Sequence, residues 1–162
     1  MFHFEEGEVF LIDKPLDWTS FDAVNLIRSV IKRYHGIRKL KVGHAGTLDP
    51  LATGLLIICT GRMTKKIDTF QAQEKVYTGT MLLGQTTPTF DMESEADAYY
   101  PTDGISVEMM EEARKSFIGD IMQRPPKFSA IKINGKRAFD YARSDEEIAL
   151  KERLVHIEDF KL

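Results

Sequence analysis

The sequence has one cysteine, Cys59, among 162 residues, which excludes an internal disulfide and a thiolate zinc site. Its four histidines are scattered, with no pair at helical spacing, so no metal is expected. The longest apolar run, Leu55 to Cys59, falls far short of the roughly 20 residues that cross a bilayer. The acidic start (Glu5, Glu6, Glu8) is the reverse of a secretory leader, so a cytoplasmic location away from any membrane is expected. Glycine and proline are sparse, at 11 and 6 residues, too few for a fibre or a disordered tract. With 43% hydrophobic and 29% charged residues, there is enough apolar matter for an ordinary core. No repeat, linker or low-complexity tract interrupts the chain, and residues 1–162 read as one domain.

The formal net charge of −3 hides a segregation of sign. Between Ala23 and Leu48 there is no acidic residue, while Arg28, Lys32, Arg33, Arg38, Lys39 and Lys41 are basic. From Val76 to Ala113 the reverse holds, with eight Asp and Glu, from Asp91 to Glu112, and no Lys or Arg. A second basic stretch runs from Arg124 to Arg143. A polyanion can therefore find a receptive face on a mildly acidic protein. Charge alone favours the blander reading of solvated helix and loop faces.

Glu8 to Asp13 is a short run rich in Val, Phe and Ile that stops at Lys14-Pro15, the pattern of a buried strand and turn. Thr19 with Asp22 makes a capping box, and Val24, Ile27, Ile31 and Tyr34 recur at helical spacing until Gly36. Lys41 to Leu48 reads as a strand giving way to a loop, and Leu55 to Thr60 as a buried strand. A short helix is expected through Lys65 to Phe70, then a strand over Lys75 to Leu83 with Tyr77 on one face. The acidic segment from Gln85 to Gly104 lacks periodicity. Ser106 opens a helix that Gly119 stops, Lys127 to Ile133 alternates, and Asn134-Gly135 signals a hairpin. Lys136 to Arg143 reads as a helix and Leu154 to Phe160 as a strand. There is no strict strand-helix-strand rhythm, so the expected class is α+β: a mixed, largely antiparallel sheet with flanking helices.

Residues 43–54, GHAGTLDPLATG, put three glycines, a His and an Asp within one short segment, so backbone can approach a ligand while a carboxylate is presented. No Gly-Lys-Ser/Thr follows the glycines, which excludes a P-loop, and the spacing is not that of a dinucleotide fingerprint. Composition leaves the segment ambiguous, since an Asp before Pro, such as Asp49, is more often a turn residue or helix cap than a catalyst.

With these residues the chain resembles the bacterial tRNA pseudouridine synthase B (TruB) family, whose catalytic loop the segment from Gly43 to Gly54 matches. Other blocks match in the family's order: Asp13-Lys14-Pro15 with Thr19-Ser20, Thr64-Lys65, Lys75-Val76-Tyr77, and Pro125 to Lys132 leading to Gly135 and Tyr141-Ala142-Arg143. The likeness runs from about Gly7 to Leu162. Asp17 departs from the Gly that the family carries after Lys-Pro-x. Family members continue past a point like Leu162, adding an arginine that pairs with the catalytic aspartate and often a PUA-type RNA-binding domain. The chain is accordingly expected to be the N-terminal portion of a pseudouridine synthase catalytic domain, incomplete at its C-terminus and with little turnover by itself.

The resemblance implies isomerisation of uridine 55 in the T loop of tRNA to pseudouridine, without cofactor or metal, by a protein acting as a monomer. It implies a catalytic role for Asp49, which attacks C1′, attacks C6 or assists removal of the C2′ proton; the sequence leaves these three routes open. Tyr77 would stack under the uracil and serve the proton step, although taken alone it reads as a half-buried strand tyrosine. His44 would touch the RNA near the extruded nucleotide; alone, it reads as a loop histidine capping a backbone group. Lys14 and Lys65 would support the Asp49 loop or meet phosphate. An aspartate in water has a pKa of about 3.9; covering one with a base raises it unless a cation compensates, which is the arginine's part. Two other readings stand beside this one: a tRNA-binding or folding module without catalysis, and an α+β domain that binds a protein through its acidic segment.

Overall fold

The computed structural model describes residues 2–126, 128, 132–133, 135–138, 141, 144 and 150–162. The chain divides into two compact units, Met1–Gly79 and Thr80–Leu162. Each is built around its own short antiparallel pairings.

In the first unit the apolar run becomes β1 (Val9–Lys14) and Thr19 opens α1 (Ser20–His35). The Thr19 hydroxyl accepts from the Asp22 N–H while the Asp22 carboxylate accepts from the Thr19 N–H, so the expected capping box is complete. Gly36 ends the helix at φ 69°, in the left-handed region that suits glycine. The chain then forms β2 (Val42–Ala45) and β3 (Gly54–Thr60), a 3-10 turn (Gly61–Lys66) and the short helix α2 (Ile67–Gln71). The sheet order is β1-β3-β2, antiparallel throughout, with Phe10 opposite Ile58 and Ile58 opposite His44. Alternation sends Leu56 and Ile58 toward Ala23 and Val24 of α1, where Phe10, Ile12, Trp18, Ile27, Val42 and Leu48 complete the core. Each such aliphatic side chain, fully buried, contributes about 1.5–3 kcal/mol.

Close approach matters at two glycines. A Cβ at Gly43 would lie 2.9 Å from Ile67 Cδ1 of α2, the tip of a side chain that would have to turn aside. A Cβ at Gly61 would fall 2.2 Å from the Glu5 carbonyl oxygen. Cys59 is fully buried in β3, opposite Val9 and Gly43, and burial pushes its thiol pKa up.

The second unit contains a two-residue ladder of β4 (Gln85–Thr86) with β5 (Ala98–Tyr99), the helix α3 (Val107–Lys115) capped by Ser106, and β6 (Gly119–Gln123). A tight hairpin of β7 (Lys132–Ile133) and β8 (Lys136–Arg137) follows, with Gly135 at φ 84°, and β9 (Arg153–Ile157) pairs antiparallel with β6. Arg114 of α3 bonds Glu111 at 2.8 Å and the Phe160 carbonyl at 2.5 Å, which fastens the segment after β9 to the helix.

The α+β class holds, and three local expectations change. Lys75 to Leu83 forms no strand: Val76 is 86% and Tyr77 73% exposed, and no described strand pairs with them. Strand preference is preference for a pleated, half-buried surface, and without a neighbouring ladder it has nothing to act on. Lys136 and Arg137, expected in a helix, are paired strand residues because the hairpin turn dictates their register. The rest of the expected helix to Arg143 lies mainly outside the described residues, as do most of Lys127 to Ile133. The strand β6 went unread because its GDIMQ sequence mixes signals that only pairing with β9 resolves.

Candidate functional site

Ala45 at the end of β2 lies opposite Ile57, so residues 46–53 form the loop that joins β2 to β3, with Asp49 near its middle. What fixes the loop is the start of α1. Ser20 Oγ donates to the Leu48 carbonyl at 3.0 Å and accepts from the Leu48 N–H at 2.9 Å, and Ser20 is only 3% exposed. The residue before Asp49 is thus held through both of its backbone polar groups. After it, the Asp49 carbonyl accepts from the Ala52 N–H at 3.0 Å, closing a turn whose second residue, Pro50, has the φ such turns favour.

Pro50 is gripped in turn. Its carbonyl accepts from the Asp17 N–H at 2.9 Å and lies 3.5 Å from Lys14 Nζ. Lys14 is fully buried, and its ammonium also donates to the carbonyls of Pro15 at 2.9 Å and Trp18 at 2.5 Å. A buried cation is tolerable only when its donors are satisfied. Here three carbonyls do so, and they join the turn after β1 to the turn at Asp49, leaving Lys14 no exposed surface for an RNA phosphate. Asp17 adopts φ 63°, the left-handed conformation that glycine takes without strain and that Asp tolerates better than most residues. Asp17 thus takes up a conformation open to glycine at the same position.

The Asp49 side chain is exposed, and among the described residues its carboxylate has no hydrogen bond or ion pair. His44 is half-buried on β2, on the sheet face of Ile58, and its Nδ1 is bonded to the Gly46 carbonyl. Because a carbonyl only accepts, Nδ1 is the donor in this bond, and Nε2 has no described hydrogen bond. Lys65 is exposed on the 3-10 turn after β3, with no described hydrogen bond or ion pair. Tyr77 is exposed in irregular backbone, so the strand that was to present it is not there.

The structure thus gathers His44, Asp49 and Lys14 around one loop and leaves Lys65 and Tyr77 without a described link to it. The residue that sequence reasoning missed is Ser20, buried and bonded to both sides of Leu48. Its signals are a second hydroxyl residue directly after the Thr19 cap and its place in the Thr19-Ser20 block that matches the family, neither of which marks it as the holder of the loop. Among the described residues no group of three His, Cys, Asp or Glu is placed to hold a metal ion. No described helix is long and apolar enough to cross a membrane.

A family profile described as TruB family pseudouridylate synthase, N-terminal domain, matches residues 32–162. The tRNA pseudouridine synthase B of Phocaeicola vulgatus is 56% identical over 160 residues, which cover 99% of this chain and 68% of that protein. That of Parabacteroides distasonis is 54% identical over 159 residues, covering 98% and 68%; that of Flavobacterium johnsoniae is 51% identical over 158 residues, covering 97% and 69%. Among solved structures, one chain of a Cbf5-Nop10-Gar1 complex aligns with 80% of this chain and 32% of its own length, at 25% identity and a TM-score of 0.49.

Proposed function

Because the chain belongs to the TruB family of pseudouridylate synthases, we propose that it supplies the catalytic loop for converting uridine 55 in the T loop of tRNA to pseudouridine. The observation that carries this reading is Asp49: an exposed carboxylate with no described partner, on a loop whose backbone is fixed on both sides by buried groups. A carboxylate that served only as a turn cap would be spent on neighbouring amides.

In the reaction the N1–C1′ bond breaks, the uracil turns and C5 joins C1′, while the hydrogen of C5 leaves and N1 gains a proton. No redox change or energy source is involved. Asp49 stands against the sugar or the base as nucleophile or base, and rigid placement is what its loop contributes. The target nucleotide must leave its stack, which costs a few kcal/mol that stacking and backbone contacts repay. Asp49 is open to solvent in the described structure, so the extruded nucleotide itself supplies part of the cover that excludes water. His44, beside the loop with Nε2 not engaged by any described residue, is the contact for the flipped nucleotide or the gap it leaves. Tyr77 and Lys65 join the site only if RNA or further protein orders them there, Tyr77 as the ring under the uracil and Lys65 as a phosphate contact.

A second reading, tRNA binding without catalysis, is favoured by one observation: no cation pairs with Asp49 among the described residues. One experiment separates the two. In the chain extended to the length of its relatives, tritium release from T-arm RNA, measured beside RNA binding, should fall to background in Asp49→Asn with binding within a few-fold of wild type. Product from Asp49→Asn, or a wild-type chain that binds but never turns over when extended to the length of its relatives, overturns the enzymatic reading.

A further inference from the structure

At the other end of α1, Ser29, Lys32, Arg33, Gly36 and Arg38 line a cavity of about 430 Å³. Its three cations have no ion pair among the described residues, and no acidic residue occurs between Ala23 and Leu48 to supply one. Arg28, on the same helix, differs: its guanidinium bonds Asn25 and the Val42 carbonyl and serves the fold. The Arg33 guanidinium lies 5.5 Å from the exposed Tyr34 ring, and Gly36 turns the chain so that Arg38 faces back toward the helix end. Two guanidinium forks and one ammonium around an open concavity are a donor set for phosphate oxygens.

We propose that this cavity holds the phosphodiester backbone of an RNA stem whose extruded nucleotide lies at Asp49. The inference rests on the RNA substrate proposed above and adds where its stem is gripped. Ser20 holds the Asp49 loop at the first residue of α1, and Arg33 lies thirteen residues further on, a separation of about 20 Å at 1.5 Å per residue. That span is too long for a single nucleotide and matches several stacked base pairs of an A-form stem. Helix α1 is therefore a spacer between the loop that receives one nucleotide and the cations that receive the stem. A free nucleotide cannot engage both ends; a hairpin can.

The test combines Lys32→Ala, Arg33→Ala and Arg38→Ala in the full chain, with Lys115→Ala, Lys151→Ala and Lys161→Ala together as a control of equal charge. The probes are a T-arm stem-loop and its loop as a single-stranded oligonucleotide, each titrated from 50 to 200 mM salt. Each lost phosphate contact removes about 0.9 from the logarithmic salt slope, so three reduce the salt-driven loss of affinity over this range by roughly 40-fold. The slope should flatten for the stem-loop in the cavity variant, and stay at wild type for the loop oligonucleotide and for the control. An unchanged slope in the cavity variant, an equal loss on the loop oligonucleotide, or an equal effect of the control overturns the stem site. Absence of any RNA binding by wild type at 50 mM salt overturns the functional reading along with it.

Discussion

The two ends of α1 use polar groups in opposite ways. At the first, Ser20 and Lys14 are buried and spend every donor on nearby carbonyls, while the Asp17 N–H closes onto Pro50. At the last, Lys32, Arg33 and Arg38 are exposed and form no ion pair among the described residues, Arg33 resting only over the exposed Tyr34 ring. Groups consumed internally make a rigid mount; groups left over make a surface for something else. The contrast explains why one residue type, lysine, carries different consequences at Lys14 and at Lys32. A lysine enclosed by three carbonyls positions a loop, whereas a lysine in water beside two arginines attracts an anion.

The comparison breaks most sharply at Lys14. Lys14→Met keeps the length of the stem but takes the buried donor from the Pro15 and Trp18 carbonyls, while Pro50 keeps the Asp17 N–H, and should cost roughly 2–3 kcal/mol of stability. Thermal denaturation would register it, and turnover should fall further than RNA binding does. Losing all three cations at the far end should, by contrast, leave the melting temperature within a degree or two, since exposed side chains without partners contribute little. Asp17→Gly sharpens the first end in the opposite sense: it relieves a non-glycine residue at φ 63° and should raise stability by about 0.5–1 kcal/mol, less the extra freedom glycine gains when unfolded.

The smallest effect concerns pH. The hydrogen bonds from the Thr19 hydroxyl and N–H hold the Asp22 carboxyl below its ordinary pKa. A carboxylate whose pKa is depressed by folding adds stability that is full above its unfolded value and is lost as pH falls through the folded one. The gap in melting temperature between wild type and Asp22→Asn should therefore be constant above about pH 4 and close progressively below it. A gap that widens on acidification would show that the capping box is not the source.

Much of the first unit was legible because its signals are local. A capping box, a terminal glycine and period-two apolar runs specify α1, β1 and β3 from neighbours in sequence. The loop at Asp49 was legible as a chemical segment, yet its mount was not, because Ser20 and Leu48 are 28 residues apart and a serine beside a helix cap has no mark of burial. Lys75 to Leu83 failed in the opposite way. Its alternation is real, but a strand exists only with a partner, and β-propensity carries no information about whether one is at hand. The same holds for β6, which only its register with β9 defines.

Cys59 offers a use for the fold's own chemistry. Its sulfur is sealed at the middle of the sheet, and burial disfavours the thiolate that alkylating reagents need. Labelling therefore proceeds only through openings that uncover that face of β3. The rate of modification is a clock for how often the scaffold beneath the loop comes undone, and it reads that unit without any introduced probe.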